Sequence, residues 1–199
     1  MRRLGLSVDI LRPDTTDLSG YRVIALPGMM HVPADLADRL AESGAALLCG
    51  PRTAARDVNF RIPVPLPPRL PGAEMTVSYV ESLRPEAGVK LRGGGKLHSY
   101  REHIEAHTKV LIEAEDGGPV VLRSGPWTYV AAVLDDTGWQ RVVSTICAEA
   151  GVATVEMPEG VRTRATATER FWFNHCDYAQ SFRGMTLPPA GVLRETLRG

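Results

Sequence analysis

An apolar stretch, a helix-like stretch and a second apolar stretch follow one another within residues 22–49, and this order constrains the fold more than any other feature. Arg22–Gly28 is apolar almost throughout and ends at proline and glycine, which is typical of a parallel strand covered on both faces. Apolar residues then recur at helical spacing before Gly44, a residue suited to end a helix. AALLC, ending at Cys49, predicts the next strand. The short links imply a right-handed crossover and a doubly wound α/β sheet.

The N-terminal stretch MRRLGLSVDIL departs from that pattern. It has the character of the end of a helix that leads into a short strand, Leu6–Leu11. A doubly wound domain usually begins with a strand that takes a central place in the sheet, followed by a helix. That first strand is missing, so Leu6–Leu11 is expected at the sheet edge beside an unpaired position of the kind that proteins normally cover. Either the sequence is the C-terminal part of something larger, or another chain supplies the pairing.

Beyond residue 50 the sequence predicts mostly strands and turns. The proline-rich stretch Pro63–Pro71 excludes regular structure, and RGGGK at 92–96 predicts a turn. Alternating runs predict strands at 74–83 and, in succession, between 107 and 135. An amphipathic helix is predicted at 137–152, with Cys147 on its buried stripe. Short alternating strands follow Pro158, so we expect a first domain at 1–157 and a small antiparallel β domain at 158–199.

Composition narrows the class of protein. Among 199 residues, 23 are Lys or Arg and 23 are Asp or Glu, which does not fit a nucleic-acid binder or a polybasic membrane binder. No apolar run approaches the roughly 20 residues of a membrane span, and no signal peptide is evident. The three cysteines match neither a disulfide framework nor a paired metal spacing. We therefore expect a cytoplasmic protein without a cofactor.

Cys49 is the first candidate for chemistry, because a cysteine at the end of a strand can be a nucleophile. A nucleophile elbow needs small residues two positions before and two positions after the nucleophile. Here those positions hold Leu47 and Pro51, and no histidine stands in an obvious partner pattern. A buried strand-end cysteine is therefore the favoured interpretation, and a catalytic Cys49 is the alternative.

A histidine-rich run, HSYREHIEAH, supplies a second candidate. His103 and His107 are four residues apart and could share a helix face at a spacing that suits a metal. The H-E-x-x-H pattern of zinc peptidases is absent, so metal binding is the less favoured alternative. Four glutamates, Glu81, Glu102, Glu113 and Glu115, are candidates for the paired carboxylates of glycoside hydrolysis by residue type only, and nothing singles out a pair. In RFWFNH, at 170–175, alternation places Trp172 opposite Phe171 and Phe173, and packing with an inter-domain contact is favoured.

Several runs in the same order are similar to glycoside hydrolase family 42 β-galactosidases. They are LGLSVDILRPDTTDLSGYRVIALPGMMHVPADLADRL, GPRTAARDVNFRIPVPLPP, VESLRP, MPEGVRTR and RFWFNH, and they cover essentially the whole chain. The resemblance implies a flavodoxin-like or class I glutamine amidotransferase-like sheet that mediates trimerisation, followed by a small β domain. In that family a preceding (β/α)₈ barrel carries the catalytic glutamates, and no position here corresponds to one. Cys49 corresponds roughly to the amidotransferase nucleophile.

The resemblance implies a non-catalytic oligomerisation part of a β-galactosidase. Its expected partners are copies of itself, as a trimer, or a (β/α)₈ catalytic barrel, and its contacts are expected along Pro51–Pro71 and His98–His107. The candidate interface residues are Arg52, Phe60, His98, Tyr100, Arg101 and Trp172. Two alternatives remain open: an amidotransferase-like hydrolase that uses Cys49, and a carbohydrate- or protein-binding module that uses Trp127, Trp139 and Trp172.

Overall fold

The computed structural model describes residues 1–197, which form two compact units. Arg12–Gly151 forms the large unit, and Met1–Leu11 together with the chain from Val152 onward forms the small unit. Two α-helices and several sheets account for the regular structure of the described chain. None of the helices in the described residues has the length and apolar content of a membrane span.

The large unit contains nine strands and both α-helices. In chain order they are β1 (Val23–Leu26), α1 (Ala34–Glu42), β2 (Ala46–Cys49), β3 (Met75–Ser82), β4 (Val89–Lys90), β5 (Lys96–Ala106), β6 (Lys109–Glu113), β7 (Pro119–Ser124), β8 (Trp127–Val130), β9 (Ala132–Leu134) and α2 (Asp136–Glu149). These elements confirm the predicted strand–helix–strand order of residues 22–49, the strand at 74–83, the strands between 107 and 135, and the C-terminal helix.

A five-stranded mixed sheet has the order β1-β2-β8-β7-β6. The pairs β1–β2 and β2–β8 are parallel, and the remaining pairs are antiparallel. Helix α1 makes the connection between parallel β1 and β2, and its apolar face buries Leu36 and Leu40. Gly44 follows the helix with a φ of 72°, a left-handed conformation that glycine adopts without steric cost.

A second sheet has the order β3-β5-β4, and β9 also pairs with β5. The RGGGK turn connects β4 to β5, and its three glycines, 93–95, all have positive φ, as the sequence predicts for a turn. The histidine-rich run lies almost entirely in β5, so the helix face suggested for His103 and His107 is wrong. The segment is extended because its backbone pairs with β3 on one side and with β9 on the other, which a helix could not do.

The core of the large unit lies between these elements. Leu47, Trp127 and Tyr129 have no exposed surface, and burial of an apolar side chain of this size stabilises by about 1.5–3 kcal/mol. The Trp127 indole N–H donates to the carbonyl of Pro71 at 2.8 Å, which satisfies its one polar atom. Asp135 caps the N-terminus of helix α2, and its side chain accepts a hydrogen bond from the Gly138 amide at 2.8 Å.

The small unit is antiparallel, as predicted. Its strands are β10 (Val161–Ala165), β11 (Glu169–Asn174), β12 (Gln180–Phe182), β13 (Met185–Leu187) and β14 (Val192–Thr196). They form a three-stranded sheet, β10-β11-β14, and a hairpin, β12-β13. The buried side chains of its core are Met157, Val161, Trp172 and Leu187.

The N-terminal residues belong to this unit. Leu6–Leu11 forms no strand, so the predicted edge strand is wrong. Side-chain hydrogen bonds hold the segment instead. The Ser7 hydroxyl accepts from the Ala165 amide at 2.9 Å, and the Arg164 guanidinium donates to the carbonyl of Val8 and to the carboxylate of Asp9. The chain enters the small unit again after Gly151. The assignment of 1–157 and 158–199 to separate domains stays a prediction.

Candidate functional site

Cys49 ends β2 with no exposed surface. Burial away from water disfavours the thiolate and raises the pKa of the thiol to about 12. Because the thiolate is the nucleophilic form, this raised pKa disfavours a nucleophilic role for Cys49 at neutral pH. Burial also raises the pKa of Cys147 on α2, and Cys176 in the small unit is half-buried. All three cysteines are unpaired thiols.

The backbone turns tightly after β2 because two strand ends meet there. A Cβ on Gly50 would lie 3.1 Å from the backbone nitrogen of Gly28, so a side chain at residue 50 would push the ends of β1 and β2 apart. Thr53 has no exposed surface, and its hydroxyl lies 3.0 Å from the carbonyl of Leu26 and 2.8 Å from that of Gly50. The turn is thus tied to the end of the neighbouring strand.

Two residues in this turn have a left-handed backbone. Arg52 has a φ of 65° and Ala54 a φ of 54°, a conformation that costs non-glycine residues of order 1–3 kcal/mol each. Specific hydrogen bonds hold both of them. The Ala54 amide donates to the carbonyl of Met29 at 2.9 Å, and the Arg52 amide donates to a carboxylate oxygen of Glu102, also at 2.9 Å.

Glu102 lies beneath this turn and is 2% exposed. Its Oε1 accepts from the Arg52 amide and from the Tyr100 hydroxyl at 3.0 Å, and its Oε2 accepts from the Tyr129 hydroxyl at 2.8 Å. Burial raises the pKa of Glu102, while the three donors act in the opposite direction. We call Arg52, Tyr100, Glu102 and Tyr129 the Glu102 cluster.

The two tyrosines of the cluster are hydrogen-bond donors at neutral pH. Burial, together with the neighbouring carboxylate, raises the pKa of Tyr100 and raises that of Tyr129 well above its ordinary value. The Arg52 guanidinium lies 4.3 Å from the centre of the Tyr100 ring, a cation–π contact. The cluster therefore clamps the turn after β2 onto strands β5 and β8. Both oxygens of the Glu102 carboxylate accept hydrogen bonds from the chain, so the role of the cluster is structural.

From the sequence alone, Glu102 was one candidate glutamate among several. The available signal was strand alternation, which places Glu102 on the same side of β5 as the buried Ile104. A carboxylate at a buried position requires partners. The partners themselves, 50 residues upstream and 27 residues downstream, are visible only in the folded chain.

An exposed apolar segment follows the clamped turn. Its apolar side chains stand at every second position and are exposed: Val58, Phe60, Ile62, Val64 and Leu66 are 80%, 62%, 56%, 88% and 43% exposed. Asp57 fixes the start of the segment, since its Oδ1 accepts from the amides of Asn59 at 2.9 Å and Arg61 at 2.8 Å. We call residues 58–66 the apolar segment. Clustered apolar side chains of this kind mark interaction surfaces.

The six predicted interface residues differ in how far they are exposed to solvent. Arg52 and Phe60 are exposed, and His98 and Tyr100 are half-buried. Arg101 and Trp172 are each 3% exposed and so offer a partner little surface, and an interface role for the six residues stays a prediction. The Arg101 guanidinium instead binds the Asp116 carboxylate with two bonds of 2.6 and 3.1 Å, and this pairing lowers the pKa of Asp116 to about 2.

The histidine pair is not arranged for a metal. Four residues of a strand span roughly 13 Å, too far for one ion to bind His103 and His107 together. His103 instead stacks on Tyr79 with ring centres 4.1 Å apart, and its Nε2 lies 3.0 Å from Glu81 Oε2. Within residues 1–197, no three His, Cys, Asp or Glu side chains gather as a metal site would require.

The tryptophans proposed as a binding platform are also largely internal. Trp127 has no exposed surface and Trp172 is 3% exposed, whereas Trp139 on α2 is half-buried. A sugar-binding platform needs an accessible ring face, and two of the three side chains lack one.

Comparison with known proteins shows which family has this architecture. Residues 1–153 match the family model described as the β-galactosidase trimerisation domain. A β-galactosidase of Thermus thermophilus is 34% identical over 180 residues, which cover 88% of this chain and 28% of that enzyme.

Solved structures agree. The β-galactosidase from the psychrophilic Marinomonas ef1 superposes with a TM-score of 0.90 at 30% identity, over 98% of this chain and 32% of that one. The β-galactosidase of the haloarchaeon Halorubrum lacusprofundi, at 23% identity, shares the fold with a TM-score of 0.82, over 98% of this chain and 34% of that one. This chain thus spans about a third of the length of these relatives. On this evidence it belongs to the trimerisation-domain family of glycoside hydrolase family 42 β-galactosidases.

Proposed function

We propose that the chain is a non-catalytic oligomerisation scaffold of a β-galactosidase. In this role it assembles as a trimer, and the hydrolysis of terminal β-galactosides takes place in a (β/α)₈ barrel that residues 1–197 do not contain. The family match over 1–153 carries the proposal. The buried thiol of Cys49 supports a scaffold over a cysteine-dependent hydrolase, because its high pKa keeps the nucleophilic form scarce.

The proposed contact surface is the apolar segment, presented on the clamped turn. Its five exposed apolar side chains lie on a backbone fixed by Asp57 and by the Glu102 cluster. A surface fixed before binding loses less conformational entropy on association than a flexible one. Arg52 and Tyr100 lie at the exposed side of the cluster and extend the surface with a charged and an aromatic group.

Sedimentation equilibrium of the chain across a range of concentrations tests the proposal. We expect a trimer, and we expect Phe60→Asp to weaken the association at least about tenfold because it places a charge in an apolar contact. Val192→Asp is the matched control: it changes an apolar side chain that is 56% exposed in the small unit, and should leave the trimer intact. A monomeric wild-type chain, or equal effects of both substitutions, would contradict the proposed surface.

Catalysis is tested separately. The isolated chain should not turn over a chromogenic β-galactoside. When a barrel-containing relative is added, the galactosidase activity of the mixture should not depend on Cys49. Robust turnover by the chain alone would overturn the non-catalytic assignment.

Alkylation of the native chain at neutral pH should modify the half-buried Cys176 and spare Cys49 and Cys147 until the protein unfolds. Rapid alkylation of native Cys49 would instead favour the hydrolase alternative.

We further propose that the parallel part of the mixed sheet derives from a flavodoxin-like, class I amidotransferase-like doubly wound fold. The parallel order β1-β2-β8, the α1 connection and the cysteine at the end of β2 support this relation. The antiparallel strands β7 and β6 complete the sheet on one side. The loss of an accessible thiol fits a fold that has been kept as a scaffold.

A cytoplasmic location is part of the same proposal. Three unpaired thiols in the described chain support a reducing compartment, and the balance of 23 basic and 23 acidic residues supports a partner other than nucleic acid. Fractionation of cells that produce the protein, followed by detection in the cytoplasmic fraction, is the direct test.

A further inference from the structure

The small unit contains a cavity lined by arginines that the oligomerisation role does not use. It has a volume of about 200 Å³ and lies between the N-terminal segment and strands β10 and β11. The basic and aromatic residues that line it are Arg2, Arg162, Arg164, Phe173 and His175. Every one of them belongs to the small unit.

Strand register explains why these side chains meet. In the antiparallel pair β10–β11, Arg162 lies opposite Phe173 and Arg164 lies opposite Phe171. Directly opposed residues project from the same face of a sheet, and this face is the one opposite the buried Trp172. Arg2 comes from the short 3₁₀ helix Arg2–Leu4 at the start of the chain.

The charge of the cavity is strongly one-sided. Three guanidinium groups and one imidazole line it, and no described lining residue carries a carboxylate. Asp9 lies nearby but is engaged with Arg164, whose Nη2 donates to Asp9 Oδ1 at 2.9 Å. Like charges that share a site repel one another, most strongly where water is partly excluded. A bound anion would remove that repulsion.

The guanidinium groups also keep unused donors. Each has five N–H donors in a planar fork that matches an oxyanion. Arg162 donates through Nη1 to the carbonyl of its neighbour Val161 at 2.5 Å, and Arg164 donates to Val8 at 3.1 Å and to Asp9. Those bonds orient the side chains and leave further N–H groups available.

We propose that this cavity is a binding site for the oxyanion group of a small molecule, either a phosphate or a carboxylate. Arg2 and Arg162 supply the main charge and donors, Arg164 is held in place by Asp9, and the half-buried Phe173 ring forms an apolar wall that strengthens the ion contact. A water molecule occupies about 30 Å³ of liquid, so the volume suits a small oxyanion and part of its carrier.

Isothermal titration calorimetry of the full chain tests the proposal with three probes at low ionic strength. Inorganic phosphate and galacturonate represent the two oxyanion sources, and neutral galactose represents a sugar without charge. We expect saturable binding of at least one anion, weakened by added salt, and no binding of galactose. Phosphate binding without galacturonate binding identifies a phosphate ligand, and the reverse identifies a carboxylate.

The variants locate the site. Arg162→Gln should weaken anion binding at least tenfold, and so should Arg2→Gln, which lies on the exposed N-terminal segment and therefore carries little risk to folding. Arg194→Gln is the matched control, because Arg194 lies on the same sheet opposite Phe171 but is paired with Glu169 and does not line the cavity. It should bind the anion as the wild type does. No saturable binding of either anion, equal binding of galactose, or an equal loss in Arg194→Gln would overturn the proposal.

Discussion

The Glu102 cluster of the large unit and the arginine-lined cavity of the small unit treat charge in opposite ways. The cluster holds one carboxylate at 2% exposure and surrounds it with three hydrogen-bond donors. The cavity gathers three guanidinium groups with no carboxylate among its described lining residues. A buried charge whose hydrogen bonds all go to the chain stabilises a local structure, whereas guanidinium groups that keep unused N–H donors are available to a ligand. The contrast separates a structural site from a binding site.

The largest effect is expected from Glu102→Ala. The substitution leaves the Arg52 amide and the hydroxyls of Tyr100 and Tyr129 without their acceptor in a buried position, and each unsatisfied buried donor costs about 1–3 kcal/mol. We expect the free energy of unfolding to fall by about 3–5 kcal/mol in urea titrations.

Glu105→Ala provides the control for that prediction. Glu105 lies on the same strand, β5, but is exposed, and its loss should change stability by less than about 0.5 kcal/mol. Equal effects of the two substitutions would mean that the cluster does not clamp the turn.

A pH series sharpens the account of Glu102 itself. Because burial raises its pKa in the folded state, folding favours the protonated form. The stabilisation that this protonation provides is fully present below the ordinary carboxyl pKa of 4.5 and is lost as pH rises through the raised value. Glu102→Gln cannot titrate and should remove this component from the pH dependence of the unfolding free energy. An unchanged profile above pH 4.5 would contradict the burial effect.

The Arg101–Asp116 pair is an intermediate case, and its predicted effect is smaller. The Arg101 side chain is 4% exposed and Asp116 is 47% exposed, so solvent screens part of the interaction. The pKa of Asp116 is lowered from 3.8 to about 2, so its stabilisation is present above pH 3.8 and is lost as pH falls through about 2. Allowing for screening, Asp116→Asn should cost about 1 kcal/mol at neutral pH and only a small part of that at pH 2. Unfolding titrations at both pH values would show the difference, and an equal cost at the two would contradict it.

The smallest effect on stability is expected from Arg2→Gln. Arg2 is exposed and belongs to a group of like charges, so its removal should change the unfolding free energy by no more than about 0.5 kcal/mol. The same variant is expected to bind the anion at least tenfold more weakly. A loss of several kcal/mol would show that the cavity is structural in the way the Glu102 cluster is, and would remove the contrast between the two regions.

The sequence predicted the elements whose cause is local. The apolar run of β1, the helical spacing of α1 and the glycines of the RGGGK turn each contain their signal within a few residues. Predictions failed where a local pattern was compatible with more than one backbone conformation. The run from His98 to His107 has spacings that fit a helix face, but it lies almost entirely in a strand because its backbone pairs with β3 and β9. Leu6–Leu11 has strand-forming residues but pairs with no strand.

The sequence by itself determined the strand–helix–strand order, the antiparallel character of the small unit and the family, because periodicity and ordered motifs are properties of short stretches. Tertiary structure alone decided which polar side chains are buried and which are left facing a cavity. Glu102 meets Arg52 across 50 residues, and Arg164 meets Val8 across 156. The cost of burying a charge depends on partners that the folded chain brings together, and residue spacing carries no record of them.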